Sequence, residues 1–199
     1  METIEELAAA FARFPGIGPR QAKRFVYHLL SAPEEERAKL SKLVTHIGKH
    51  VRQCPECMRY ANENGPLCTH CADTTRDNAV LMIVEKDQDL SAVERASAFK
   101  GRYFVLGGIL TLSGKGAIRE KELIQAVEKR VKKGLSEIVL ALSATSEGEH
   151  TADRVRELLS PLQGSIKIST LGRGLATGSE LEYSDVETLR GAFQNRKEV

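Results

Sequence analysis

Apolar positions in the first quarter of the chain recur every three to four residues. Ile4, Leu7, Ala8 and Phe11 fall at i, i+3, i+4 and i+7 and predict one amphipathic helix over residues 2–12. A second helix, roughly 19–30, presents Ala22, Phe25, Val26 and Leu29 on one side. In a third, Leu40, Leu43, Val44, Ile47 and Val51 form a stripe expected to pack as a core-forming strut, and Ser31-Ala32-Pro33-Glu34 resembles a capping box at its start. Beyond residue 72 the period changes. Strands are expected at Val80–Val84, Arg102–Leu106, Glu137–Leu142 and Ser165–Ser169, and helices at Leu90–Ala98, 119–132 and 150–159. Strands alternating with helices imply an α/β architecture: a parallel sheet covered on both faces, with ligand sites beyond the carboxyl ends of its strands.

Between these two regimes lie all four cysteines, Cys54-x-x-Cys57 and Cys68-x-x-Cys71. Four thiolates in two such pairs suit tetrahedral zinc, one ion per chain, in a closed structural site with no open position for catalysis. So few apolar side chains lie in this stretch that burial alone would not fold it, and a metal would supply the missing free energy. Disulfide pairing is the alternative. His70 stands beside a complete ligand set and is read as a bystander.

The first two helices are joined by Phe14-Pro15-Gly16-Ile17-Gly18-Pro19. Gly16 and Gly18 permit a tight turn, and Pro19 fits the first position of the following helix. Arg20, Lys23 and Arg24 lie on the face opposite Ala22 and Val26. This is a helix-hairpin-helix pattern. Backbone N–H groups at a helix N-terminus donate to a phosphate there, and the cations behind add sequence-independent, salt-sensitive DNA affinity. The plainer alternative is a helical hairpin with a solvated basic face.

Totals refine this picture only a little. The chain has 199 residues, 41% apolar and 28% charged, enough for one or two domains with a core. Its net charge of +2 hides a basic N-terminal part: residues 1–53 carry nine Lys and Arg against six Glu. The acidic start Met1-Glu2-Thr3-Ile4-Glu5-Glu6 lacks the apolar core of a signal peptide, so a cytoplasmic location is expected. Two glycine-rich loops fail as nucleotide sites. Five residues separate Gly108 from Gly114, one too many for a P-loop, and Gly172 to Gly178 is one residue too long for a dinucleotide fingerprint. Both are read as connections or subunit contacts.

A third loop, Leu142 to Glu149, follows a strand. Together with Glu85 it resembles the Toprim domain of topoisomerases and bacterial primases, in which a first-strand Glu, a later Asp-x-Asp and an acidic-Gly-acidic stretch hold magnesium. Glu85, Glu147, Gly148 and Glu149 match, whereas Ser143 and Thr145 stand where the aspartates belong. Neutral hydroxyls are feeble magnesium ligands, so the fold is expected without the phosphoryl-transfer site. A helix-hairpin-helix (1–53), a four-cysteine zinc finger (54–71), a degenerate Toprim domain (78–172) and a C-terminal loop and helix (173–199) containing Leu181-Glu182-Tyr183-Ser184-Asp185 occur in this order in one family. The whole chain resembles the RecR recombination mediators.

That resemblance implies a non-enzymatic DNA-repair factor acting with RecO and RecF to help load RecA onto single strands coated by single-strand binding protein. It also implies rings of two to four subunits joined through N-terminal and C-terminal contacts. The site residues that follow are Cys54, Cys57, Cys68 and Cys71 for the metal, and Gly16, Gly18, Arg20, Lys23 and Arg24 for DNA. Glu85, Glu147 and Glu149 would form an acidic patch for RecO or a neighbouring subunit. Two other classes stay open: a magnesium-dependent Toprim enzyme, and a zinc-ribbon adaptor that binds only protein.

Overall fold

The computed structural model describes residues 2–62, 65–162, 164 and 166–198. The chain divides into two units, Met1–Val51 and Arg52–Val199.

In the first, α1 (Glu2–Ala12) and α2 (Pro19–Ser31) form a hairpin. The small residues Ala8 and Ala22 are buried with Val26, which lets the helices approach closely. Phe11 stands edge-on to Phe25, ring centroids 5.7 Å apart. Lys23 Nζ reaches Glu5 Oε1 at 3.0 Å and ties the two helices on their polar side.

The third helix, α3 (Glu34–His50), departs from expectation in two ways. Its N-cap is Pro33 with no side-chain cap, and Ser31 Oγ instead donates to the His28 carbonyl at 2.8 Å, so the capping box does not form. Its apolar stripe is not core: no residue of α3 is buried, and Val44 is 66% exposed. The stripe has the period of a packed face, but within the unit Met1–Val51 the core closes over Ala8, Ala22 and Val26 on α1 and α2 alone.

The second unit opens with short strands β1 (Val51–Gln53, spanning the boundary) and β2 (Tyr60–Asn62), which pair, and the single turn α4 (Thr69–Ala72). Then follow β3 (Val80–Val84), α5 (Asp87–Ala96), β4 (Arg102–Val105), α6 (Glu120–Val131), β5 (Glu137–Ala141), α7 (Ser146–Leu159), β6 (Lys167–Thr170) and α8 (Val186–Gln194). The strands form one parallel sheet in the order β4-β3-β5-β6, with Val84 level with both Val105 and Ala141. Residue 165, where the last strand was expected to begin, lies outside the described residues.

Strand alternation divides the apolar residues between two layers. Leu81 and Ile83 face Leu123, Val127, Val155 and Leu159 of α6 and α7, while Met82 and Val84 share the other layer with Leu90 of α5. Burying each such side chain contributes roughly 1.5–3 kcal/mol. Two helices begin earlier than periodicity suggests because their first turns are polar. Asp89 accepts from Lys86 N at 3.0 Å at the start of α5, and Thr145 Oγ1 accepts from Gly148 N at 3.1 Å at the start of α7. No described helix is long and apolar enough to cross a membrane.

Candidate metal centre and nucleic-acid interface

The two Cys-x-x-Cys pairs close on one another. The four sulfurs lie within 4.8 Å of each other, and Cys54, Cys57 and Cys68 are buried. Zinc–thiolate bonds of about 2.3 Å give a tetrahedron with edges of about 3.8 Å. Cys57 Sγ and Cys68 Sγ are 3.6 Å apart, so the set has the dimensions such an ion needs. The Cys68 N–H points to Cys54 Sγ at 3.5 Å, a contact that favours thiolate. Hydrogen bonds from the Cys57, Cys68 and Cys71 thiols hold Cys54 far below the usual thiol range, and Cys57 is pushed far above it by the hydrogen bond to Cys54. His70 is not part of the set; its Nδ1 lies 3.4 Å from Glu94 Oε2.

Local backbone explains how the first pair turns. Met58 N bonds to Cys54 O at 2.8 Å, Cys54 N bonds to Arg59 O at 2.8 Å, and Met58 takes a left-handed conformation at φ 62°. A non-glycine residue there costs about 1–2 kcal/mol, which is offset by packing: the Met58 side chain rests against the sheet core.

Three arginines seat the knuckle on the sheet unit by its backbone carbonyls. Arg119 Nη1 donates to Met58 O at 3.0 Å and Val105 O at 2.8 Å. Arg130 donates to Glu56 O at 3.2 Å, and Arg102 donates to His70 O and Cys71 O at 3.1 and 3.2 Å. Val105 N also bonds to Cys57 O at 2.8 Å. Sequence reasoning missed these arginines. Their partners in the knuckle lie 31 to 74 residues away, and no local pattern marks them.

At the hairpin turn, Gly16 has φ +77°, a conformation that favours glycine, and Gly18 is the N-cap of α2 without a side-chain cap. Arg20, Lys23 and Arg24 are all exposed. They are not equivalent. Lys23 is held by Glu5, first by its hydrogen bond and then by its charge, which raises the ammonium pKa. Arg24 bonds Gln21 Oε1 at 3.3 Å, and Arg20 has no side-chain partner among the described residues. The two arginines and the free α2 N-terminus are therefore the groups available to a phosphate.

Glu85 directly follows β3, and Glu147 and Glu149 sit in the first turn of the helix after β5, so all three lie beyond the carboxyl ends of neighbouring strands. They do not converge as a ligand set: among the described residues, only the four cysteines bring three or more such atoms together. Glu85 is 9% exposed, with Oε2 accepting from Ser143 Oγ at 2.7 Å and Oε1 3.4 Å from Lys86 Nζ. Glu149 Oε1 meets Arg173 at 2.5 Å. Lys86 and Arg173 thus bring positive charge to Glu85 and Glu149. Glu85, expected in an exposed docking patch, is almost buried and held by Ser143 and Lys86. The loop from Gly107 to Gly116 is closed by Thr111 N bonding Lys115 O at 2.8 Å.

Comparison with known proteins agrees with this layout along the chain. Residues 4–47 match the family model described as RecR, helix-hairpin-helix; residues 79–171 match the Toprim domain; and residues 174–197 match RecR, C-terminal. The Recombination protein RecR of Desulforudis audaxviator is 40% identical over 198 residues, covering 98% of this chain and 95% of that protein. Proteins of the same name from a Ruegeria species and from Bifidobacterium adolescentis are 39% and 37% identical, each covering 98% of this chain and 96% of the relative. None of these names states an enzymatic activity.

Proposed function

The chain belongs to the RecR family of recombination proteins, and from that membership we propose that it is a non-enzymatic, zinc-containing DNA-binding clamp. It acts with RecO and RecF to help load RecA on single-stranded DNA coated by single-strand binding protein. One zinc per chain, held by Cys54, Cys57, Cys68 and Cys71, fixes the knuckle and takes no part in chemistry. Gly16, Gly18, Arg20 and Arg24 contact DNA phosphates, and Lys23 contributes less because Glu5 already holds it. Glu147 and Glu149 remain for a basic partner surface on RecO or a neighbouring subunit.

The observation that carries the non-enzymatic reading is the withdrawn Glu85, bonded by Ser143 and Lys86 where a Toprim enzyme would need a free carboxylate. Assembly into a ring is supported by apolar side chains left exposed in each unit, Leu43, Val44 and Ile47 in the first and Tyr183 and Phe193 in the second. As a member of a family of recombination proteins it would work in the cytoplasm, on the nucleoid.

The test is DNA binding at low salt. In an Arg20→Ala, Arg24→Ala chain, affinity for duplex should fall for all sequences alike, and the slope of log K against log salt should shrink by about 1.8, the value for two lost phosphate contacts. Unchanged affinity and slope would remove the hairpin from the interface. Magnesium-dependent cleavage or priming by the pure protein would replace the mediator reading with an enzymatic one.

A further inference from the structure

Beyond the carboxyl ends of β3 and β4, on the side where the knuckle meets the sheet, lies a cleft of about 380 Å³ that the hairpin reading does not use. Its walls include Arg59, Tyr60, Lys86, Asp87, Gly107 and Arg119. Three are cations and one is an acid. The acid is already engaged, Asp87 Oδ1 accepting from Tyr60 N at 3.0 Å, and Lys86 leans on Glu85. Arg59 is different. It is half-buried, its Nε is shut off from water, and its side chain has neither a hydrogen bond nor an ion pair among the described residues. Its terminal Nη groups are neither bonded among the described residues nor shut off in this way, and they are the part of the guanidinium that an anion in the cleft would engage.

The neighbouring arginine is prepared for the same task. Arg119 is fixed through Nη1 by two carbonyls, and no hydrogen bond among the described residues engages its Nε or Nη2. Gly107, at φ +87°, permits this placement, since a Cβ there would stand 2.8 Å from Arg119 Cζ. Beside the two guanidinium groups, Tyr60 is 56% exposed, unlike the buried Tyr103. Paired cations next to an exposed ring suit a phosphodiester with its base stacked on the ring, the recurring arrangement for single-stranded nucleic acid.

We infer that this cleft is a second nucleic-acid site, taking one phosphate of a single strand on Arg59 and Arg119 and stacking the adjoining base on Tyr60. The inference rests on the DNA-binding reading above but concerns a separate place in the fold. A strand has accessible base faces for Tyr60 and a duplex does not, so the cleft discriminates between them.

The experiment uses the full, zinc-loaded chain at low salt with two labelled probes, oligo(dT) and a duplex of equal length. Tyr60→Leu should weaken oligo(dT) binding about tenfold or more while leaving the duplex nearly unchanged. Arg59→Gln should lower the salt slope for oligo(dT) by about one. Oligo(dT) should also quench tyrosine fluorescence in the parent and not in Tyr60→Leu, and inorganic phosphate alone should not reproduce that quenching. Zinc content equal to the parent's shows that each variant keeps its knuckle. If both variants bind oligo(dT) as the parent does, or phosphate quenches as strongly, the inference is overturned while the hairpin reading stands. A parent that binds neither probe overturns both.

Discussion

A Cys57→Ser chain is expected to bind well under one zinc per molecule and to become protease-sensitive across residues 52–72. The effect should be among the largest of any single substitution. Cys57 is 1% exposed, and its sulfur is 3.6 Å from that of Cys68, so the lost ligand leaves three thiolates crowded around an incomplete site. Structural zinc contributes on the order of 10–16 kcal/mol in small domains, against a total stability of roughly 5–15 kcal/mol for a typical protein. The damage should spread. The Cys57 carbonyl accepts from Val105 N in the sheet, and Arg119 and Arg130 hold the carbonyls on either side, at Met58 and Glu56. Release of the knuckle therefore strands three buried or half-buried donors. His70→Gln is the contrasting variant: it should keep its zinc, because the imidazole faces Glu94 and not the metal set. Metal analysis and limited proteolysis of both variants check the pair, and a zinc-free, well-folded parent would contradict the argument.

The same region shows what a sequence can and cannot convey. Ligand spacing is local, so Cys54-x-x-Cys57 and Cys68-x-x-Cys71 announce themselves. The sheet is equally plain, because Leu81 and Ile83 must part from Met82 and Val84 wherever alternation holds. The arginine clamp is invisible, since Arg119 and Met58 are 61 residues apart and an arginine reads as surface charge until its partner is known. Helix starts were displaced for a related reason: Thr145 and Asp89 act through hydrogen bonds that apolar periodicity does not register. The stripe on α3 has the period of a packed face yet lies exposed within its unit, because a pattern records that a surface is apolar and not what covers it. For Glu85 the motif conveyed the position at the strand end. It could not convey that Ser143, in an aspartate's place, would donate a hydrogen bond to the remaining carboxylate.

Gly148 lies between the two glutamates of the acidic-Gly-acidic stretch, and here the chain separates the motif's structural part from its chemical part. A Cβ on Gly148 would stand 1.9 Å from the Ser143 carbonyl oxygen, and backbone, unlike the end of a long side chain, has little freedom to yield. The loop must close this tightly because Thr145 caps α7 by accepting from Gly148 N at 3.1 Å, which folds residues 143–145 back over the first turn. Gly148→Ala is accordingly expected to destabilise the sheet unit by about 3 kcal/mol, the upper part of the range for forced overpacking, with loss of the cap adding about 1 kcal/mol where the loop swings away. Neighbouring Glu147→Gln removes a charge without adding an atom in a crowded place, so its stability should stay within about 0.5 kcal/mol of the parent. Urea unfolding of the two variants, read as a shift in midpoint at unchanged slope, separates them. A large loss for Gly148→Ala beside a neutral Glu147→Gln means that glycine here serves the fold, independently of the carboxylates on either side of it. Equal midpoints for Gly148→Ala and the parent would mean that the 143–148 turn relaxes freely, and the steric account of the motif would have to be abandoned.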